Sequence, residues 1–130
     1  MPLPLPQIPS LHYDPPVPLL DTEQLNAMAS GMPELLLPIV TDFQRSGDES
    51  LAKLRAALSE GRFADAKGIL HQLKGASGTM GLVQFQNLCR ECEEQVDAQI
   101  VPTRFGELAL LLAHSVQGAC AFLRGEQPPS

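Results

Sequence analysis

Residues 69–82 read ILHQLKGASGTMGL, and this stretch predicts one helix with two opposed faces. At about 100° per residue, one narrow arc of that helix is apolar. Its members are Ala66, Ile69, Leu73, Ala76 and Met80. The opposite arc is polar or bare, and it consists of Lys67, His71, Lys74, Gly75 and Gly78. The sequence therefore predicts a histidine that points away from the core, with one lysine a turn before it and another a turn after it.

Two glycines lie inside this helix, where each costs about 1 kcal/mol relative to alanine. Without side chains at Gly75 and Gly78, the backbone of another protein can come close to the imidazole. Lys67 and Lys74 place positive charge where an anion can bind. We therefore interpret this face as a site for an anionic group and a partner protein, and not as a solvated surface with an incidental histidine.

The segment from His71 to Leu82 closely resembles the signature of histidine phosphotransfer (HPt) domains. In that signature the phosphorylated His is followed by Lys at the third position, Gly at the fourth and small residues after them. Outside this segment, between about Leu20 and Leu123, the resemblance rests on helix order and apolar spacing. It implies that His71 is the nucleophile and that Lys74 stabilises the phosphoryl oxygens, with Lys67 as the second candidate for that role.

The resemblance also implies a function and its partners. We expect a phosphorelay intermediate that takes a phosphoryl group from a receiver-domain aspartate of a hybrid sensor kinase and passes it to the receiver of a response regulator. The receiver would bring Mg²⁺, so we expect no metal site and no cofactor in this chain. In some family members a polar side chain of the following helix supports the histidine, and spacing gives Glu93 that position. The residues expected to dock the partner are Gly75, Gly78, Leu82, Gln86 and Glu93.

Several motifs of phosphate chemistry are missing from the sequence. It contains no Gly-x-x-x-x-Gly-Lys-Ser/Thr loop, no Gly-x-Gly-x-x-Gly and no His-Glu-x-x-x-Pro motif of a dimerising sensor-kinase helix. We therefore expect a phosphotransfer protein without autokinase or ATP-binding activity. The alternative is a helical adaptor that binds a receiver or a sensor kinase without being phosphorylated.

Composition limits the class of protein. A chain of 130 residues with 44% hydrophobic and 18% charged residues fits one domain with a single, mainly aliphatic core. A net charge of −6 argues against nucleic-acid binding, which needs clustered Lys and Arg. No uninterrupted apolar run reaches the roughly 18 residues of a membrane span. No Lys or Arg precedes Arg45, so the N-terminus lacks the basic region of a secretory signal. We therefore expect a cytoplasmic protein that does not enter a membrane. We also expect a monomer, since isolated phosphotransfer modules need no dimer for their chemistry.

Helical periodicity continues along the chain from Leu20, and no strand pattern appears. The predicted helices are a short one at 23–29, a long one from Pro33 to about Ser59, the motif helix from Phe63 to about Met80, one from Val83 to about Ala98, and a last one capped by Thr103. We favour continuity of the long helix through Ser46-Gly47-Asp48. The expected fold is all-α: an antiparallel up-down four-helix bundle over residues 20–126 with a short extra N-terminal helix, followed by a tail at 127–130.

Residues 1–19 form a proline-rich arm, since seven of the 12 prolines lie between Met1 and Pro18. This composition is typical of an extended polyproline-like segment. The arm is a linker, a strap along the bundle or a ligand for an SH3-type domain, and the sequence favours the first two.

Other candidate residues have simpler explanations. Cys89 and Cys92 have C-x-x-C spacing but also apolar helical spacing, so with Cys120 we interpret them as reduced core thiols. His114, which we expect to be exposed, has Gln where the motif has Lys and serves as an internal control. His12 lies in the arm without a surrounding cluster.

Overall fold

Five helices follow one another between residues 18 and 126, the part of the chain that the computed structural model describes. They are α1 (Thr22–Ala29), α2 (Pro33–Ser59), α3 (Phe63–Thr79), α4 (Val83–Asp97) and α5 (Leu108–Leu123), with a 3₁₀ turn at Phe105–Glu107. Each of the four long helices packs against two others in the order α2, α3, α4, α5, and α1 packs on α2 and α5. The described residues contain no strand. The predicted four-helix bundle with a short extra helix is confirmed.

The long helix α2 is continuous through Gly47, as predicted. A Cβ atom at residue 47 would lie 2.8 Å from Cδ2 of Leu112, a fully buried side chain of α5. Glycine therefore lets α5 approach α2 closely at this point and does not break the helix.

The core is mainly aliphatic. The rings of Phe43 and Phe85 meet edge to face, with centroids 6.5 Å apart and planes at 80°. Cys89, Cys92 and Cys120 are free and buried, which confirms their interpretation as core thiols. Burial raises the pKa of Cys89 far above its usual value and that of Cys92 to about 12, so neither thiol ionises readily.

Two local predictions about the helices were wrong. The buried face of α3 consists of Ala66, Leu70, Leu73 and Ser77, whereas Ile69, Ala76 and Met80 are only half-buried. The buried arc is therefore rotated from the predicted one. Thr103 does not cap the last helix: its N–H donates to Oε1 of Gln95 at 3.3 Å, and a 3₁₀ turn leads into α5.

The N-terminal end of the described chain is attached to the turn between α3 and α4. The side chain of Asp21 caps α1 by accepting a hydrogen bond from the backbone N–H of Gln24. The backbone N–H of Asp21 donates to the carbonyl oxygen of Gly81 at 2.8 Å. Gly81 has φ +74°, and a Cβ there would lie 2.7 Å from the carbonyl oxygen of Asp21, so this close approach requires glycine.

Leu19 and Leu20 are both buried in the core, each only 7% exposed. The predicted boundary between arm and bundle after residue 19 is therefore corrected, because Leu19 already belongs to the packed part. The rest of the proline-rich arm, residues 1–17 with His12, and the tail at 127–130 lie outside the described residues.

One stretch of the described chain, Phe105–Leu123, is long and apolar enough to cross a membrane, with a mean hydropathy of 1.3. The stretch is not an uninterrupted apolar run, because it contains Glu107, His114 and Gln117. Half of this stretch is buried inside the bundle, and a core helix has the same length and composition. The composition of α5 therefore fits its packing against α2 and α4.

The close contact at Gly47 predicts a difference between two identical substitutions. Gly47→Ala and Gly68→Ala both replace a glycine inside a helix, so both gain the same helix propensity of about 1 kcal/mol. A Cβ at residue 68 would have no atom within 4 Å, whereas one at residue 47 would meet Leu112. We expect the free energy of unfolding, measured in urea titrations, to be about 1–3 kcal/mol lower for Gly47→Ala than for Gly68→Ala. Equal stabilities would contradict the close contact.

Candidate functional site

Helices α3 and α4 run antiparallel and exchange contacts along one exposed edge. Lys67 Nζ lies 2.7 Å from Oδ1 of Asp97, and His71 Nδ1 lies 3.3 Å from Oε2 of Glu93. Further along, Gln86 lies against Gly78. From one contact to the next, the residue number rises along α3 by as much as it falls along α4. This register brings together His71 and Glu93, which the sequence separates by a turn and most of a helix.

The imidazole of His71 projects into solvent from the middle of α3. Its side chain is 69% exposed, in agreement with the predicted orientation. The neighbouring residues Leu70 and Leu73 are buried in the core, so the side of the helix that carries them faces inward. The core therefore holds the helix at this point, while the histidine side chain stays open to a second molecule.

Glu93 is the least exposed charged residue of this edge, at 12%. Its Oε1 forms an ion pair with Lys74 Nζ at 2.7 Å. Desolvation by burial raises the pKa of Glu93, but Lys74, followed by His71, outweighs it through hydrogen bonding and charge, so the pKa lies below its usual value. Glu93 is therefore a carboxylate at neutral pH.

The charge of Glu93 determines the role of each imidazole nitrogen. An ionised carboxylate only accepts hydrogen bonds, so the Nδ1 atom of a neutral His71 carries the proton and donates it. The separation of 3.3 Å makes this a weaker bond than a charge-assisted one of about 2.7–2.9 Å. With Nδ1 engaged, Nε2 keeps its lone pair for an incoming electrophile.

Lys67 has a different environment from the one predicted for a second phosphate ligand. It pairs with Asp97, and the hydrogen bond to that carboxylate raises the pKa of the lysine. Both lysines near His71 thus have a carboxylate partner on α4. The sequence did not reveal these pairs, because they depend on the register between two helices.

The small residues around His71 differ in accessibility. Gly75 is exposed, with no atom within 4 Å of the place where a Cβ would stand, and Gly68 on the preceding turn is equally open. Gly78, in contrast, is half-buried under the amide of Gln86, so the space there is filled from within the chain. Sequence reasoning missed Gly68, although it lies three residues before His71, within one turn of the same face.

The structure corrects two further predictions about side chains. Leu82, expected to dock a partner, is completely buried at the start of α4 and is corrected to a core residue. His114 is half-buried on α5 and not exposed as expected.

Comparisons with known proteins concern the family and the fold of this chain. The family model for the Hpt domain matches residues 38–113. The chain is also similar to the crystal structure of histidine-containing phosphotransfer protein B (HptB) from Pseudomonas aeruginosa PAO1, with a TM-score of 0.65 and 24% sequence identity over 83% of this chain and 93% of that one. At this identity the likeness concerns the fold alone. A search of curated proteins gave no match.

The environment of Glu93 predicts a specific loss of stability in acid. Because its pKa is lowered in the folded state, its contribution is complete above the usual value of about 4.3 and disappears as the pH falls through the lower folded value. We expect Glu93→Gln to lower the free energy of unfolding by about 1–2 kcal/mol at pH 7 and by a smaller amount at pH 3. Denaturant titrations at both values measure this, with the exposed Glu94→Gln as the matched control. The same pH dependence in both variants would contradict the assignment.

Proposed function

Because this chain belongs to the Hpt domain family and so acts in histidine phosphotransfer within a phosphorelay, we propose that His71 is its phosphorylated residue. It accepts a phosphoryl group from an aspartate of one receiver domain and passes it to an aspartate of another. The observation that carries this proposal is the exposed imidazole whose Nδ1 faces the carboxylate of Glu93.

The proposed step uses this arrangement directly. The lone pair of Nε2 attacks phosphorus, the P–O bond to the aspartate breaks, and the aspartate leaves as a carboxylate with the electron pair. The ring becomes positively charged while Nδ1 keeps its proton, and Glu93 stabilises that charge across 3.3 Å. The reverse step returns the phosphoryl group to a carboxylate oxygen of the second receiver.

Lys74 stabilises the negative charge on the phosphoryl oxygens. Its side chain is 26% exposed and lies one turn from His71 on the same face. The positive charge of Lys74 interacts with both the phosphoryl group and Glu93. Lys74 therefore attracts the phosphoryl oxygens less strongly than an unpaired lysine would. Phosphoryl transfer depends mainly on such positioning and charge neutralisation.

The receiver docks on the exposed edge between α3 and α4. The open backbone at Gly68 and Gly75 leaves room for the loops that surround its aspartate, and Gln86 offers an amide at the far end of the edge. The receiver supplies Mg²⁺ and the acidic pocket that holds it. We further propose that the protein is a cytoplasmic monomer in which the proline-rich arm precedes one phosphotransfer domain.

The central prediction concerns His71 itself. A phosphorylated receiver should label the wild-type protein and not His71→Gln, whereas His114→Gln should be labelled at the wild-type rate. The label should be acid-labile and base-stable, as expected of phosphohistidine. Labelling that persists without His71 would contradict the proposal, and complete absence of label on the folded wild type would favour the adaptor alternative.

The two lysines should differ in their effect. We expect Lys74→Ala to slow transfer from a phosphorylated receiver about tenfold, which corresponds to roughly 1.4 kcal/mol of transition-state stabilisation. Lys67→Ala should slow it by less than about threefold, because Lys67 pairs with Asp97 and its side chain leans toward the N-terminus of α3, away from His71, whereas that of Lys74 leans toward His71. Single-turnover rates measure both effects, and circular dichroism checks that the bundle is intact. Equal rate losses would show that the pair with Asp97 does not set Lys67 apart.

A further inference from the structure

One stripe of α4 faces the edge that carries His71. Gln86, Arg90, Glu93 and Asp97 are spaced by four, three and four residues, so they lie within one arc of the helix. Three of them meet α3: Asp97 pairs with Lys67, Glu93 contacts His71, and Gln86 lies against Gly78. Arg90 occupies the remaining position of the stripe. It lies about 4.5 Å along α4 from Glu93, and the register places it opposite Lys74.

Arg90 differs from the other cations of this edge in its pairing. Lys67 and Lys74 are paired with Asp97 and Glu93. Arg90 is exposed and has no ion pair among residues 18–126. The carboxylates of its own stripe are the two that already hold the lysines. The edge therefore presents one positive charge that no carboxylate of the described chain compensates.

We propose that Arg90 binds the phosphoryl oxygens during transfer to and from His71; this inference rests on the proposed function. As Nε2 of His71 attacks and the P–O bond breaks, negative charge is spread over three equatorial oxygens. A planar guanidinium donates two parallel N–H bonds to such oxygens, which an ammonium does not. The bare helix surface at Gly75, the residue after Lys74, leaves space for the phosphoryl group between the two cations.

This role differs from the one predicted for Lys67. The sequence suggested Lys67 and Lys74 as the cations around the phosphoryl group, both on α3. The structure assigns the second cation to α4 instead, because Lys67 is occupied by Asp97 and Arg90 is not. The phosphoryl group would then be held between one charge from each helix.

The test uses a small-molecule phosphoramidate as donor, so that no receiver is present. Its P–N bond breaks, ammonia leaves, and the phosphoryl group forms a bond with Nε2 of His71. We expect Arg90→Gln to slow this labelling about five- to tenfold, and to slow transfer from a phosphorylated receiver by a similar factor. Arg90→Lys should restore part of the rate. The control is Arg124→Gln, which removes the same charge from an exposed arginine after α5 and should leave both rates unchanged.

Each outcome decides the role of Arg90. If phosphoramidate labelling is unchanged in Arg90→Gln, the proposal is overturned, even when transfer from a receiver slows, because a receiver-only defect means that Arg90 contacts the partner's surface. Equal slowing in Arg124→Gln would also overturn it, since the effect would then be one of net charge. Label that survives His71→Gln overturns the proposed function itself, whatever the result at Arg90.

Discussion

A single carboxylate, that of Glu93, connects the packing of α3 and α4 with the chemistry of the edge between them. It lies almost buried between the two helices, where an isolated negative charge is costly. Lys74 on one oxygen and His71 near the other reduce that cost and keep the group ionised. Both partners lie on α3, so these contacts bridge the two helices in the same register as the pair between Lys67 and Asp97. They also orient the imidazole and define which of its nitrogens carries the proton.

Apolar periodicity was sufficient to predict the architecture. Each of the four long helices has a 3.6-residue pattern, and short connections between them leave an antiparallel bundle as the simplest solution. The rotation of α3 was not predictable in this way. Ser77 is polar but buried, because its hydroxyl donates to the carbonyl oxygen of Lys74 at 3.1 Å and its small size suits the helix interface. Hydropathy alone assigns such a residue to the surface.

The candidate site was predictable only within one helix. The spacing around His71 indicated an exposed histidine with lysines a turn away, because those relations depend on α3 alone. The partners on α4 depend on the register between helices, which periodicity does not determine. For that reason the pair between Lys67 and Asp97 was missed, and Glu93 was proposed only through the resemblance. Leu82 was misplaced because it follows the motif without a break, although the chain turns inward at Gly81.

If His71 carries the phosphoryl group as proposed, the pairing of the lysines has a consequence, because the protein must release that group as well as accept it. Several uncompensated cations around His71 would stabilise phosphohistidine so strongly that return to an aspartate would become slow. Carboxylates on Lys67 and Lys74 weaken that attraction, since each lysine divides its charge between a fixed anion and a transient one. In the proposed phosphohistidine, Glu93 would oppose the same tendency, because it would repel the phosphoryl group while stabilising the ring's proton. An intermediate level of positive charge at this edge therefore suits transfer in both directions better than the maximum would.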